Sequence, residues 1–142
     1  MIIQLQPEQI SMWWDKIRYA ACAAMETDSA AYVQSLLSAL LSGTHQCWII
    51  FDDEREPVAM GITCIIEVDL TAKKYLHVDA FYSYQTLNDE LVREATDYVK
   101  SFAVANGCGQ IRTLTGNPRA ARLLEVAGFY TGKTEYLLDL SG

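Results

Sequence analysis

No apolar run in this sequence approaches the roughly 18 residues of a membrane span, and its first residues lack the basic-then-apolar pattern of a secretory signal. The expectation is a protein without a membrane partner, with the cytoplasm as its default address. Basic residues are also scarce: 11 Lys and Arg face 18 Asp and Glu, for a net charge of −7. A general nucleic-acid binder needs a basic face, so that class is excluded. The balance suits a basic substrate or partner, and equally any ordinary acidic protein. Cys22, Cys47, Cys64 and Cys108 are scattered, with no C-x-x-C pair and no His pattern beside them. Structural zinc sites use such pairs, so no metal is expected. Each cysteine lies among apolar neighbours, as buried reduced thiols do.

What is present is enough apolar sequence for one domain with a real core: 142 residues, of which 51% are hydrophobic and 20% charged. Met1 to Leu5 reads as a short strand. Pro7 opens a helix with Ile10, Trp13, Trp14, Ile17, Ala21 and Ala24 at helical spacing, and the Trp pair reads as core. Thr27 or Asp28 caps a second helix that carries Val33, Leu36, Leu37, Leu40 and Leu41 and ends at Gly43. From Gln46 the period changes. Cys47 to Phe51 is an apolar strand, residues 52–57 a charged turn, Val58 to Leu70 an alternating strand, and Tyr75 to Tyr82 a third strand, which together form an antiparallel meander. His45 falls in the loop before it. Thr86, with Asp89 at capping-box spacing, opens the longest amphipathic helix, which Asn106-Gly107 stops. Gln110 to Thr115 is a strand, and Phe129 to Leu140 a last strand or a hairpin around Gly132.

Between these last two lies a helix with both ends marked. Asn117 is its N-cap, Pro118 fills the first helical position, and Gly128 ends it. Ala120, Leu123, Leu124 and Ala127 form an apolar stripe, with Arg119, Arg122 and Glu125 towards solvent. The stretch Asn117 to Phe129 resembles the closing segment of the GNAT acetyltransferase superfamily, in which an Asn is followed at fixed spacing by Ala, an aromatic and Gly-Phe. Asn117, Ala120, Gly128 and Phe129 keep that spacing, while Leu124 stands where the family often has Tyr. The order of elements resembles the GNAT order over nearly the whole chain, whereas the residue motif covers its last third. The resemblance implies a single α/β (α+β) domain of GNAT-like fold, with a mixed sheet of six or seven strands and helices on both faces.

It also implies a site. In the family, acetyl-CoA lies where the third meander strand and the strand after the long helix splay apart. The pantetheine arm pairs with the first of these, which brings in Phe81, and the pyrophosphate is held by free amides at the start of the long helix. The stretch matching the family's phosphate loop is Gln85-Thr86-Leu87-Asn88-Asp89-Glu90. Gln85 fits the family pattern, with Thr86, Leu87 and Asn88 as the other loop contacts. Asn88 and Glu90 replace small residues, and two carboxylates in the first turn repel a pyrophosphate. Asn117 points towards the CoA arm in the family, besides its capping role.

A base for an amine acceptor would be a carboxylate or His on the central strands: Glu67, Asp69, His77 or Asp79, of which His77 and Asp79 share a strand face. The alternative is that these are solvated polar positions on a half-exposed strand. With Leu124 unable to give a proton to the departing thiolate, Tyr130 or Tyr136 is the substitute donor. Two functions remain open. One is an N-acyltransferase that moves an acyl group from acetyl-CoA to an unidentified small-molecule or protein amine. The other is a silent GNAT-like scaffold that binds a protein or ligand. A homodimer is compatible with either.

Overall fold

The structure, a computed structural model, describes residues 1–68, 70–115, 117–132 and 136–140. Strand β1 (Ile2–Leu5) leads through a single 3-10 turn (Pro7–Gln9) into α1 (Ile10–Met25), and α2 (Ala30–Ser42) follows. Strands β2 (His45–Phe51), β3 (Pro57–Val68) and β4 (Lys73–Ser83) form the meander, followed by α3 (Asp89–Ala105), β5 (Cys108–Thr113) and α4 (Pro118–Val126). The sheet runs in the order β1-β2-β3-β4-β5. Its first four strands are antiparallel, and β4 and β5 pair in parallel across the α3 crossover.

The apolar run of β2 has no polar face because both sides of it are covered. Cys47, Ile49 and Phe51 pack with Ile10, Ile17, Leu36 and Leu40 beneath α1 and α2. Trp48 and Ile50 face the other way, against Ala95 and the inner stripe of α3. A strand buried on both faces reads as a continuous run rather than an alternation. The polar atoms of the α3 side are tied together: Trp48 Nε1 donates to Thr63 Oγ1 at 2.9 Å, and Thr63 donates to Gln46 Oε1 at 2.9 Å.

The differences from the sequence expectation include two helix starts and the end of the chain. Ser29, not Thr27 or Asp28, caps α2, accepting from Tyr32 N at 3.2 Å, while the Thr27 hydroxyl accepts from Ser29 N. Asn88, not Thr86, caps α3, accepting from Leu91 N at 2.7 Å. Leu87 is buried against the α3 core, which draws residues 85–87 into an extended lead-in and delays the helix. A further difference is at the end of the chain. Among the described residues the sheet has five strands rather than six or seven and no strand forms after α4, residues 133–135 of the expected last strand lying outside the described residues. Tyr136, Leu137 and Leu138 are consecutive and all exposed, so they offer no alternating face to bury.

α4 follows its local signals. Asn117 Oδ1 accepts from Arg119 N at 2.9 Å, and Gly128 takes φ 96° just past the helix end. Its apolar stripe is half-buried and its charged residues are exposed. No described helix is long and apolar enough to cross a membrane.

Candidate active site

Two irregularities of β4 create the site. The first is where its pairing with β5 stops. The parallel ladder runs from Lys74↔Cys108 to Val78↔Thr113, closed by Thr113 Oγ1 donating to Val78 O at 3.2 Å. Strand β4 continues to Ser83 on β3, whereas β5 ends. The two strands therefore part, and the β5-side edge of residues 79–83 has no strand partner among the described residues.

The second irregularity is a bulge at the same point. The β3–β4 register passes from Ile62↔Ala80 to Thr63↔Val78, so Asp79 is the extra residue. A bulge re-aims the side chain it inserts. Asp79, two residues beyond His77, lies on the face where Cys64 and His77 are cross-strand partners, with His45 opposite Cys64 on β2. His45 Nε2 lies 2.8 Å from Asp79 Oδ2, and His77 Nε2 lies 3.3 Å from Oδ1. The Cys64 thiol donates to Oδ1 at 3.6 Å. One carboxylate thus gathers two imidazoles and a thiol, all on rigid strands beside the parting. Burial, followed by the charge and hydrogen bond of Asp79, pushes the Cys64 thiol up to about 11. Tyr32 of α2 borders the same carboxylate. Its phenol is raised by burial first, then by Cys22 and Asp79.

His77 and Asp79 thus lie together. Glu67 does not join them: strand alternation puts it on the opposite face from Cys64, exposed, opposite Lys74 near the hairpin end. Asp69 lies outside the described residues. Tyr130 is 81% exposed beyond the end of α4, and Tyr136 is exposed as well. His45, which the sequence put in a loop, is the first residue of β2 and a member of the cluster. The apolar run starts only at Cys47, so periodicity gave no sign of the extra strand residues.

Along the parted edge, Phe81 sits over Gly61, where a Cβ would lie 3.7 Å from its ring. Gln85 and Thr86 are exposed before α3, and the Ser83 hydroxyl donates to Gln85 O. The Leu87 side chain is part of the core rather than of any surface. The Asn88 side chain occupies the Leu91 amide, with Asp89 and Glu90 in the first turn. Asn117 is committed as the α4 cap.

Beside the C-terminal half of β4, Tyr82 meets Tyr19 of α1 edge to face at 5.7 Å. Tyr19 also lines an open depression of about 580 Å³ along α1 and the α1–α2 turn, with Asp15, Glu26 and Asp28 as its carboxylates and Arg18 as its cation.

No protein-family model and no curated protein matches the chain. Solved structures do. A probable acetyltransferase superimposes with TM-score 0.77 at 15% identity, over 100% of this chain and 99% of that one. A predicted acetyltransferase from Clostridium acetobutylicum, solved with acetyl-CoA, gives 0.74 at 12% identity, over 99% and 96%. A GNAT family acetyltransferase from Staphylococcus aureus gives 0.66 at 10% identity, over 99% and 98%. The architecture is that of the GNAT acyltransferases, an α+β fold around a mixed sheet, and it extends over the whole chain.

Proposed function

We propose that the protein is a GNAT-type N-acyltransferase that passes an acyl group from acetyl-CoA to a cationic amine. The parting of β4 from β5 directly beside a His–carboxylate pair carries this reading. The free edge of residues 79–83 offers backbone groups to a pantetheine arm. With a proton on His77 Nε2 directed at Asp79 Oδ1, 3.3 Å away, Nδ1 is the basic nitrogen. His77 then takes the proton of the incoming ammonium. The nitrogen attacks the thioester carbon, the C–S bond breaks, and the departing thiolate takes up the proton released by the nitrogen. Leu124 gives no proton to this step. Positioning the two reactants together supplies much of the rate, on the order of several kcal/mol. The acidic depression beside Tyr19 suits a positively charged acceptor, as does the net charge of −7.

One observation favours a second reading, a scaffold that has given up the cofactor. The amide that should greet a pyrophosphate at the start of α3 is already taken by Asn88, and two carboxylates follow it. Calorimetric titration with acetyl-CoA separates the two. The enzyme reading expects a Kd below about 100 μM, near −5.5 kcal/mol. Absence of heat at millimolar acetyl-CoA leaves the scaffold.

A further inference from the structure

We infer that His45, Cys64 and Asp79 form a site for a single thiophilic divalent cation of the zinc type. Nε2, Sγ and a carboxylate oxygen of these residues lie within 4.8 Å of one another. A tetrahedral ion with bonds of about 2.0 Å to N and O and about 2.3 Å to S holds its ligands roughly 3.3–3.7 Å apart. Asp79 Oδ2 lies 2.8 Å from His45 Nε2 and its Oδ1 lies 3.6 Å from the Cys64 thiol, so the ligands must open and the carboxylate turn to bring one oxygen to the ion. The three ligands come from three adjacent strands, and Cys64 pairs directly with His45. The set is therefore positioned by the sheet rather than by flexible loops.

The surroundings of His45 supply the second argument. The Thr44 hydroxyl, 3.2 Å from Ala39 O, also lies 3.5 Å from His45 Nδ1. With an ion on Nε2, which faces Asp79, the proton would sit on Nδ1, where the Thr44 oxygen can accept it. His45 Nε2 faces Asp79 Oδ2 at 2.8 Å, so an ion would take the place of the proton that these two atoms otherwise share. Orientation of a ligand imidazole through its remote N–H is the usual outer-shell device of metal sites. One thiolate and one carboxylate neutralise a divalent charge, and the mixed N, S, O donor set selects zinc-like over calcium- or magnesium-like ions. Three protein ligands leave a fourth position open. His77 faces Oδ1 of the same carboxylate, so this site shares Asp79 with the acyl-transfer reading, and metal binding is read by itself.

The test uses the full chain, stripped with a chelator and titrated with Zn²⁺ or Co²⁺. One equivalent per chain is expected, and the Co²⁺ form should show a thiolate-to-metal charge-transfer band with intense tetrahedral visible bands. Cys64→Ser should abolish the charge-transfer band, and Thr44→Val should weaken binding roughly 10- to 100-fold while leaving every ligand in place. Zn²⁺ should also slow alkylation of Cys64 in the unmutated protein, read peptide by peptide in a mass spectrometer, which needs no variant to fold. Absence of stoichiometric binding, a Co²⁺ spectrum without thiolate character, or unchanged Cys64 alkylation would each overturn the assignment.

Discussion

Thr63 shows how much a single buried hydroxyl can hold. It accepts from Trp48 and donates to Gln46, and all three residues are buried. Thr63→Val keeps the shape and strands an indole N–H and an amide oxygen, each at roughly 1–3 kcal/mol. The variant should lose that much in urea unfolding, with an unchanged m-value. The neighbouring cluster follows the same logic with different consequences. His77→Asn keeps a donor near Asp79 but removes the base, so kcat should fall by about 10²–10⁴ with little change in melting temperature. Loss of stability without loss of rate would make His77 a structural residue. At this scale the sequence was half legible. His77 and Asp79 stood out as alternate residues of one strand. His45 and Cys64 did not, because register across β2, β3 and β4, and a bulge that no residue type announces, bring them to Asp79.

The elements were more legible than their ends. Caps read from local chemistry succeeded where the chain on both sides was free, as at Asn117 and Gly128. They failed where a tertiary anchor shifted the start: burial of Leu87 moves the first turn of α3 from Thr86 to Asp89. The cap that results is testable. Asn88→Gly should cost only a few tenths of a kcal/mol, against about 1 kcal/mol for Asn88→Ala. Combined with Glu90→Gly, it frees the Leu91 amide and removes one of the two first-turn carboxylates, so acetyl-CoA affinity should rise. Unchanged affinity would show that the α3 terminus is not where the cofactor's phosphates sit. The β2–β3 turn offers a gain. Asp52 Oδ1 accepts from Glu54 N and Glu56 N, both at 2.9 Å, and this holds Arg55 at φ 64°. Glycine reaches that conformation without the roughly 1–2 kcal/mol that a side chain costs. Arg55→Gly should therefore raise the unfolding free energy by about 1 kcal/mol, and a fall would mean that the arginine side chain makes a contact worth more than its strain.

Over the whole molecule, the element order was legible because each change of hydrophobic period marks a real change of layer, and two helical faces on one sheet follow from it. The last strand or hairpin read over residues 129–140 does not form among its described residues, because Tyr136, Leu137 and Leu138 are consecutive exposed side chains without an alternating pattern. The doubly covered sheet has a further consequence, for alkali. Cys47 is sealed between α1, α2 and β2, and burial pushes its thiol from the ordinary 9.0 up to about 12. In the unfolded chain that thiol gives up its proton near pH 9, whereas in the folded chain it keeps it. The stabilisation is thus complete below pH 9 and shrinks as pH climbs towards 12, because there the unfolded state binds fewer protons. Each pH unit in that window removes up to about 1.4 kcal/mol. Thermal melts of the native protein should fall steeply from pH 9 to 11, and those of Cys47→Ala, starting lower because of its cavity, should fall less steeply. Parallel curves for the two proteins would place the alkaline sensitivity elsewhere than in this thiol.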